Sequence, residues 1–485
     1  MKKYFVLIIL LFCAGNVFSK SRIFSRFDNR LTYSMRNVNL KRFKSIVSKY
    51  YYINAKDRYG STLLHKCVIE NLPTFVLFLL KNGAKVNLKN NNENTPLHFA
   101  AKYANVKITN MLIKRGAKIN VKNKFGYTPL LNAAVAGNYW AFKVLLAKGA
   151  NINVGTKYCS SLIIGALHSG NVRILKLLYR KKINFNIQNK YGQNLLSIAS
   201  GFGFLNIVKY LVEKVKLNIN QKDRLLKTPL SYAIQNGYYE ICKFLINAGA
   251  ELNFLSIYDR TPLFSAWNIR TVELLLRNGA KIDAKNKYGK TALIHYAENG
   301  NYRIVEYLLK RGANINTCDK NGETVLMYAV SKVSKTIKLL LEKGAKITSK
   351  SKYGTNALYR AIKYQNSYAV KLLLEYGSGP NEKMGDYGYP LLLALEQGSL
   401  DIVKVLISKG ANVNIKLRFG LTPLINAIKK QNIPIIKYLL KNGADVKVKT
   451  STGRSAIDYA KLTKNTEIVK IIRNNMLKSK KNNGK

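Results

Sequence analysis

At 485 residues the chain exceeds the usual ceiling for one compact domain, so it must divide or repeat itself. An apolar fraction of 47% with only 9 prolines excludes a disordered or linker-rich chain. A net charge of +57 bears on partners and solubility, not on fold; with lysine outnumbering arginine 62 to 19, it reads first as AT-rich coding bias.

Residues 1–19 read MKKYFVLIILLFCAGNVFS. Lys2 and Lys3 form a basic start, Phe5 to Ala14 an apolar core, and Val17 and Ser19 precede a cut ahead of Lys20. This is the layout of a secretory signal peptide cleaved after Ser19. The apolar run is well short of the ~20 residues that span a bilayer. The expectation is export, periplasmic or secreted. Lipid anchoring at Cys13 is the weaker alternative, because Phe12 stands where that signal needs a small side chain. Residues 20–28 follow as a basic linker.

Residues 29–54 read as a degenerate capping repeat ending at Ile53-Asn54. From 55 to 476 one pattern recurs, as in KNKFGYTPLLNAAVAGNYWAFKVLLAKGANIN from Lys122 and KNKYGKTALIHYAENGNYRIVEYLLKRGANIN from Lys285. The predicted helix starts are Thr62, Thr95, Thr128, Ser161, Asn194, Thr228, Thr261, Thr291, Thr324, Asn356, Tyr389, Thr422 and Ser455, and nine of the twelve intervals are 33. All but Tyr389 are Thr, Ser or Asn, whose side chains accept from the free amides of a first helical turn. Proline follows at positions such as Pro96, Pro129 and Pro229, where a missing amide is no loss. A second helix with an apolar stripe, such as Ile304, Val305, Leu308 and Leu309, ends at a glycine of the Gly83, Gly116 and Gly149 series. One helix pair cannot bury that stripe alone, so neighbours must stack. Residues 477–485 are expected to trail off as a basic, disordered tail.

Irregularities are local. One residue is inserted near Lys216, three are missing between Trp267 and Glu273 in the turn between the two helices, one is missing near Lys332, and Lys182-Ile183 replaces the usual Gly-Ala ending.

Thr95-Pro96-Leu97-His98-Phe99-Ala100 and the period of 33 closely resemble the ankyrin repeat. The resemblance covers nearly all of the chain after the leader and points to an exported, bacterial member of the family. It implies an all-α repeat solenoid of about thirteen stacked units with capping ends, each a β-hairpin or turn plus helix–turn–helix. It also implies that partners meet the hairpin tips and the exposed side of the first helices.

Enzyme chemistry finds little material. His65 and His98 occupy the motif's structural His position, while His168 and His295 stand apart from any Cys or carboxylate at ligand spacing. Cys67, Cys159, Cys242 and Cys318 fall in separate repeats, so no internal disulfide is expected. No phosphate loop or nucleophile elbow occurs. The expectation is a binding protein with no catalytic residue, cofactor, metal or small-molecule substrate.

The tips carry a recurring basic–aromatic set: Lys122, Lys124 and Phe125; Lys190 and Tyr191; Lys285, Lys287 and Tyr288; Lys350, Lys352 and Tyr353; Lys416, Arg418 and Phe419. Either each ring simply packs on its neighbour, or the set forms a positive ladder that recognises an acidic partner, such as an acidic protein, anionic lipid headgroups or a nucleic acid. The second function reading is an electrostatic binder of an anionic membrane surface or other polyanion. Nucleic acid is set aside for an exported chain, and a monomer is expected.

Overall fold

The computed structural model describes residues 29–50, 53–103, 105–153, 162–257, 259–332, 335–385, 388–416 and 418–482. The leader, the linker, Cys13, the cut after Ser19, Cys159 and the cap at Ser161 lie outside these residues. Two units partition the chain, one ending at Ala250 and the other starting at Glu251.

Among the described residues unit 1 holds fourteen helices: α1 Asn29–Arg36, α2 Leu40–Tyr50, α3 Leu63–Ile69, α4 Pro73–Lys81, α5 Pro96–Tyr103, α6 Val106–Lys114, α7 Pro129–Ala136, α8 Tyr139–Ala147, α9 Leu162–His168, α10 Val172–Arg180, α11 Leu195–Phe202, α12 Leu205–Glu213, α13 Pro229–Asn236 and α14 Tyr239–Asn247. Unit 2 holds α15 Pro262–Ser265, α16 Ile269–Arg277, α17 Ala292–Glu298, α18 Tyr302–Lys310, α19 Val325–Ala329, α20 Lys335–Glu342, α21 Ala357–Lys363, α22 Ser367–Glu375, α23 Pro390–Gln397, α24 Leu400–Ser408, α25 Pro423–Lys429, α26 Ile433–Lys441, α27 Ala456–Leu462 and α28 Thr466–Asn482. Odd-numbered helices are the first of each pair. From α3 onward, every first helix begins one residue after its predicted cap. The caps act as such: Thr128 Oγ1 accepts from Leu131 N at 3.3 Å and Asn194 Oδ1 from Ser197 N at 2.8 Å. Among the described residues the tips carry only isolated bridges, Gln188 with Asn194 and Cys318 with Thr324, and no continuous strand.

Within each unit, from α3 onward, first helices pack on the next first helix and second helices on the next second helix. Small residues let the backbones approach: Leu97, Ala100 and Ala101 of α5 meet Leu130, Leu131, Ala133 and Ala134 of α7, all fully buried. The second helices contribute stripes such as Ile108 and Leu112, then Phe142 and Leu145. At the start of unit 1, Phe43 of α2 sits edge-on to Phe75 of α4, ring centroids 4.7 Å apart.

A periodic asparagine fastens neighbouring repeats on the exit side. Asn87 Nδ2 donates to Gly116 O at 2.9 Å, and its Oδ1 accepts from Lys118 N at 2.8 Å. Asn54, Asn120, Asn253, Asn381 and Asn414 repeat the arrangement in their own units. The glycines after the second helices, Gly83 to Gly443, take the left-handed backbone expected of them, with φ of 82–101°.

Three expectations are refined. Residues 477–482, expected to be a disordered tail, continue α28, whose lower turns are anchored by buried Ile468 and Ile472 and so propagate the helix onward. The three missing residues before Glu273 shorten the first helix itself, leaving α15 with four residues, and do not merely tighten the turn. Tyr296, standing where the other repeats have alanine or, at Cys67, cysteine, fills the gap: its hydroxyl donates to Leu263 O at 2.6 Å and also reaches Ala266 O. Lys182, replacing a glycine, takes the same left-handed backbone at φ 57°.

Candidate functional site: the repeat tips

Each tip is a four-residue turn folded by its first side chain. Asn123 Oδ1 accepts from Phe125 N at 3.0 Å and Tyr127 N at 2.9 Å, while Gly126 N donates back to Asn123 O at 2.9 Å. Asn189 and Asn286 do the same for the Tyr191 and Tyr288 tips. The fourth residue is usually glycine in the left-handed region, and at Gly289 the reason is visible. A Cβ there would lie 2.7 Å from the Lys320 amide nitrogen of the next tip.

Successive tips are tied by backbone. Within unit 1, Asn91 N donates to Tyr59 O, Lys124 N to Asn92 O and Arg224 N to Tyr191 O, at 3.0–3.2 Å. Within unit 2, Lys320 N donates to Tyr288 O, Lys352 N to Asn321 O and Ser451 N to Phe419 O, at 2.8–2.9 Å. With the backbone engaged, the side chains of the second and third turn residues are left facing solvent. Phe125, Tyr191, Tyr288, Tyr353 and Phe419 are exposed, from 43% at Tyr191 to 70% at Phe419. Where a partner is seen, it is the adjacent lysine and not the neighbouring ring: Lys190 Nζ lies 5.0 Å from the Tyr191 ring centre and Lys287 Nζ 5.1 Å from that of Tyr288.

The predicted lysines are not equivalent. Lys122, Lys124, Lys190, Lys285, Lys287, Lys350, Lys352 and Lys416 are all exposed, whereas the Arg418 side chain lies outside the described residues. In unit 2, Lys287 pairs with Asp259 at 2.7 Å, Lys350 pairs with Glu382 at 2.9 Å, and Lys285 donates to Cys318 O at 3.2 Å. The hydrogen bond and charge of Asp259 raise the Lys287 pKa further. In unit 1 no aspartate or glutamate occurs between Glu93 and Glu213, and the charge of Lys124 reaches back to help lower the Glu93 pKa. Lys122, Lys124, Phe125, Lys190 and Tyr191 thus stand on tips of unit 1, and Lys285, Lys287, Tyr288, Lys350, Lys352, Tyr353, Lys416 and Phe419 on tips of unit 2.

Two features escaped the sequence reading. Lys56-Asp57-Arg58-Tyr59-Gly60 is the same tip with Asp for Asn; Arg58 lies over the exposed Tyr59 ring at 4.6 Å. Where the turn begins with aspartate, the residue nine positions on serves the second carboxylate oxygen. Lys66 pairs with Asp57 at 3.2 Å, Tyr232 donates to Asp223, and Tyr328 donates to Asp319 at 3.0 Å. Burial, then the carboxylate bond, pushes both tyrosine hydroxyls above their usual pKa, and burial lowers that of Lys66. The Tyr328 ring also lies between Lys290 Nζ at 4.0 Å and the Arg360 guanidinium at 5.1 Å, with Arg360 paired to Glu323. These contacts fix the tips to their first helices.

The histidines are structural. His65 and His98 are buried, each bridging its helix cap to the next tip, and burial holds both at about 4. His168 donates from Nδ1 to Ile164 O at 2.7 Å, and its ring meets Phe202 edge-on at 5.2 Å. His295 packs on Phe264. Cys67 and Cys242 are fully buried free thiols, and burial pushes Cys242 up to about 12. Among the described residues no three His, Cys, Asp or Glu side chains converge as a metal would require.

A family model described as ankyrin repeats, in three copies, matches residues 64–156, 162–256, 263–351, 317–384, 349–417 and 391–483. The chain is 34% identical over 110 residues to a protein of Rickettsia felis described as an ankyrin repeat protein, covering 22% of this chain and 48% of that one. It is 35% identical over 80 residues to the human transient receptor potential cation channel subfamily A member 1, covering 16% of this chain and 7% of the channel. The chain thus spans less than half the length of these relatives. The crystal structure of the ankyrin repeat domain of Bcl-3 aligns with 51% of this chain and 98% of that domain, at 24% identity and a TM-score of 0.39.

Proposed function

Because the chain belongs to the ankyrin-repeat family, we propose that it is an exported, monomeric protein-interaction scaffold that catalyses no reaction and reads an acidic partner protein with its tips and first-helix surface. The observation that carries this reading is the division of labour at each tip. The turn backbone is committed to the neighbouring repeat, while a cation and an aromatic ring stand outward together at Lys124-Phe125, Lys190-Tyr191 and Lys287-Tyr288. Aromatic rings on a rigid backbone supply contact area at low entropic cost, and a flanking lysine favours acidic neighbours.

Export rests on the layout of residues 1–19 and places the protein in the periplasm or outside the cell. Among the described residues no helix is long and apolar enough to cross a membrane. Mass spectrometry of the mature N-terminus tests this: a chain starting at Lys20 supports it, and an intact Met1 or a lipid on Cys13 contradicts it.

The binding test is affinity capture from envelope fractions at low and moderately high salt, with the full chain and with Phe125→Ala/Tyr191→Ala and Tyr288→Ala/Tyr353→Ala/Phe419→Ala variants. A partner that survives high salt and is lost with one set of rings supports the reading. A partner retained by both variants refutes it. The other reading, attachment to an anionic surface, draws on different lysines.

A further inference from the structure

The positive charge is unevenly placed. Residues 94–212 contain 17 lysines and arginines and no aspartate or glutamate. At the density of the whole chain, 24 acidic residues in 485, a stretch of this length would hold about six. Coding bias alone does not produce this local gap, because unit 2 places acidic residues on its own second helices. There Glu273 pairs with Arg277 at 2.6 Å, Glu306 with Lys310 at 3.3 Å and Glu342 with Lys338 at 3.6 Å.

In unit 1 the gap falls on one side of the fold. The second helices α6, α8 and α10 lie side by side, α6 against α8 and α8 against α10. Their outer faces expose Lys107, Lys114, Lys143, Arg173, Lys176 and Arg180, whereas the intervening first helices α5, α7 and α9 contribute only Lys102. The same face exposes two large amphipathic rings, Trp140 at 56% and Tyr179 at 41%. Lys143 Nζ lies 5.6 Å from the Trp140 ring and the Arg173 guanidinium 6.0 Å from that of Tyr139.

We propose that this second-helix face docks on an anionic phospholipid surface. A row of neighbouring helices offers a broad patch, with no carboxylate to repel headgroup phosphates. Lysine stems can lie along the surface while their ammonium groups reach the phosphates, and Trp and Tyr rings settle at headgroup level. A nucleic acid would draw instead on arginine forks, which are the minority here. The inference does not rest on the tips, which lie on other residues.

The test uses the full chain carrying Trp267→Phe, so that Trp140 is the one tryptophan. Co-sedimentation and tryptophan emission are followed with vesicles of phosphatidylcholine alone and vesicles in which phosphatidylglycerol replaces about a third of it. Residues 1–28, which include Lys2 and Lys3 and would themselves favour the anionic vesicles, are common to every variant, so the comparison between variants cancels them. The account expects preferential binding to the phosphatidylglycerol vesicles with a blue shift of Trp140 emission. Each neutralised lysine is expected to weaken partitioning about fivefold, so the Lys114→Glu/Lys143→Glu/Lys176→Glu variant should lose at least about a hundredfold. The tip variants should bind vesicles normally, and unchanged circular dichroism shows that the reversed variant still folds. Equal binding to both vesicle types, binding undiminished by the charge reversal, or duplex DNA bound as tightly with Trp140 emission unmoved would each overturn the proposal.

Discussion

Mild acid should loosen the repeats around His65 and His98 before the histidine-free repeats near the end of unit 2. Each ring accepts a backbone N–H at Nδ1, from Thr62 or Thr95 at 3.1 Å. Each Nε2 lies 3.0 Å from a carbonyl of the next tip, Asn94 O or Tyr127 O. The neutral ring therefore carries its proton on Nε2 and donates it there, and a second proton would have to sit on Nδ1 against the cap amide. Burial holds both rings at about 4, against 6.5 for a free histidine. Between those values the unfolded segment binds more protons than the folded one. The stability is thus complete above pH 6.5 and is lost as pH falls through the folded value near 4. With about 1.4 kcal/mol per pKa unit, the loss reaches on the order of 3 kcal/mol for each histidine. Hydrogen exchange read by mass spectrometry, corrected for intrinsic rate, compares peptides from 62–103 with histidine-free peptides from 423–462. From neutral pH to about pH 5, opening should become easier in the first set and not in the second. In a His65→Gln/His98→Gln variant that acid dependence should vanish. If it persists there, or if 62–103 shows none, the reasoning fails.

Other outcomes follow from the packing. Tyr296→Phe removes the donor serving Leu263 O and Ala266 O in the shortened repeat, which should cost about 1–3 kcal/mol of local stability by exchange of α15 and α17 amides. Gly203→Ala and Gly443→Ala both force a side chain into the left-handed region, at φ 83° and 84°. Only the first brings a Cβ within 2.6 Å of the Tyr238 ring, so by urea unfolding it should cost about 1–3 kcal/mol more than the second. Lys66→Met leaves Asp57 buried without its cation and should destabilise by about 3 kcal/mol, most of which Asp57→Asn should restore in the double variant.

The repeat was legible because it is written twice, once in the cap residues and once in the glycines that end each second helix. Thr62 to Ser455 mark where the first helices begin, and neither the period nor the capping chemistry depends on distant contacts. The tips were legible as residues but not in their display. That Tyr191 carries Lys190 over its face, or that Lys287 is paired with Asp259, depends on contacts no spacing rule supplies. The partnership of a turn aspartate with the residue nine positions on was within reach, since Asp57, Asp223 and Asp319 stand in one column and Lys66, Tyr232 and Tyr328 in another. The shortening of α15 was misplaced by the sequence because a gap in register marks only the loss of residues; which element gives way is decided by packing, here by Tyr296.

The claim on which the functional account rests is that the outward tip side chains meet the partner. Photo-crosslinking residues placed singly at Phe125, Tyr191, Tyr288 and Tyr353, with a control at exposed Lys371 on α22, address it in the intact chain. The account predicts one common polypeptide joined to the tip positions and absent from Lys371. Adducts at Lys371 with none at any tip would contradict it.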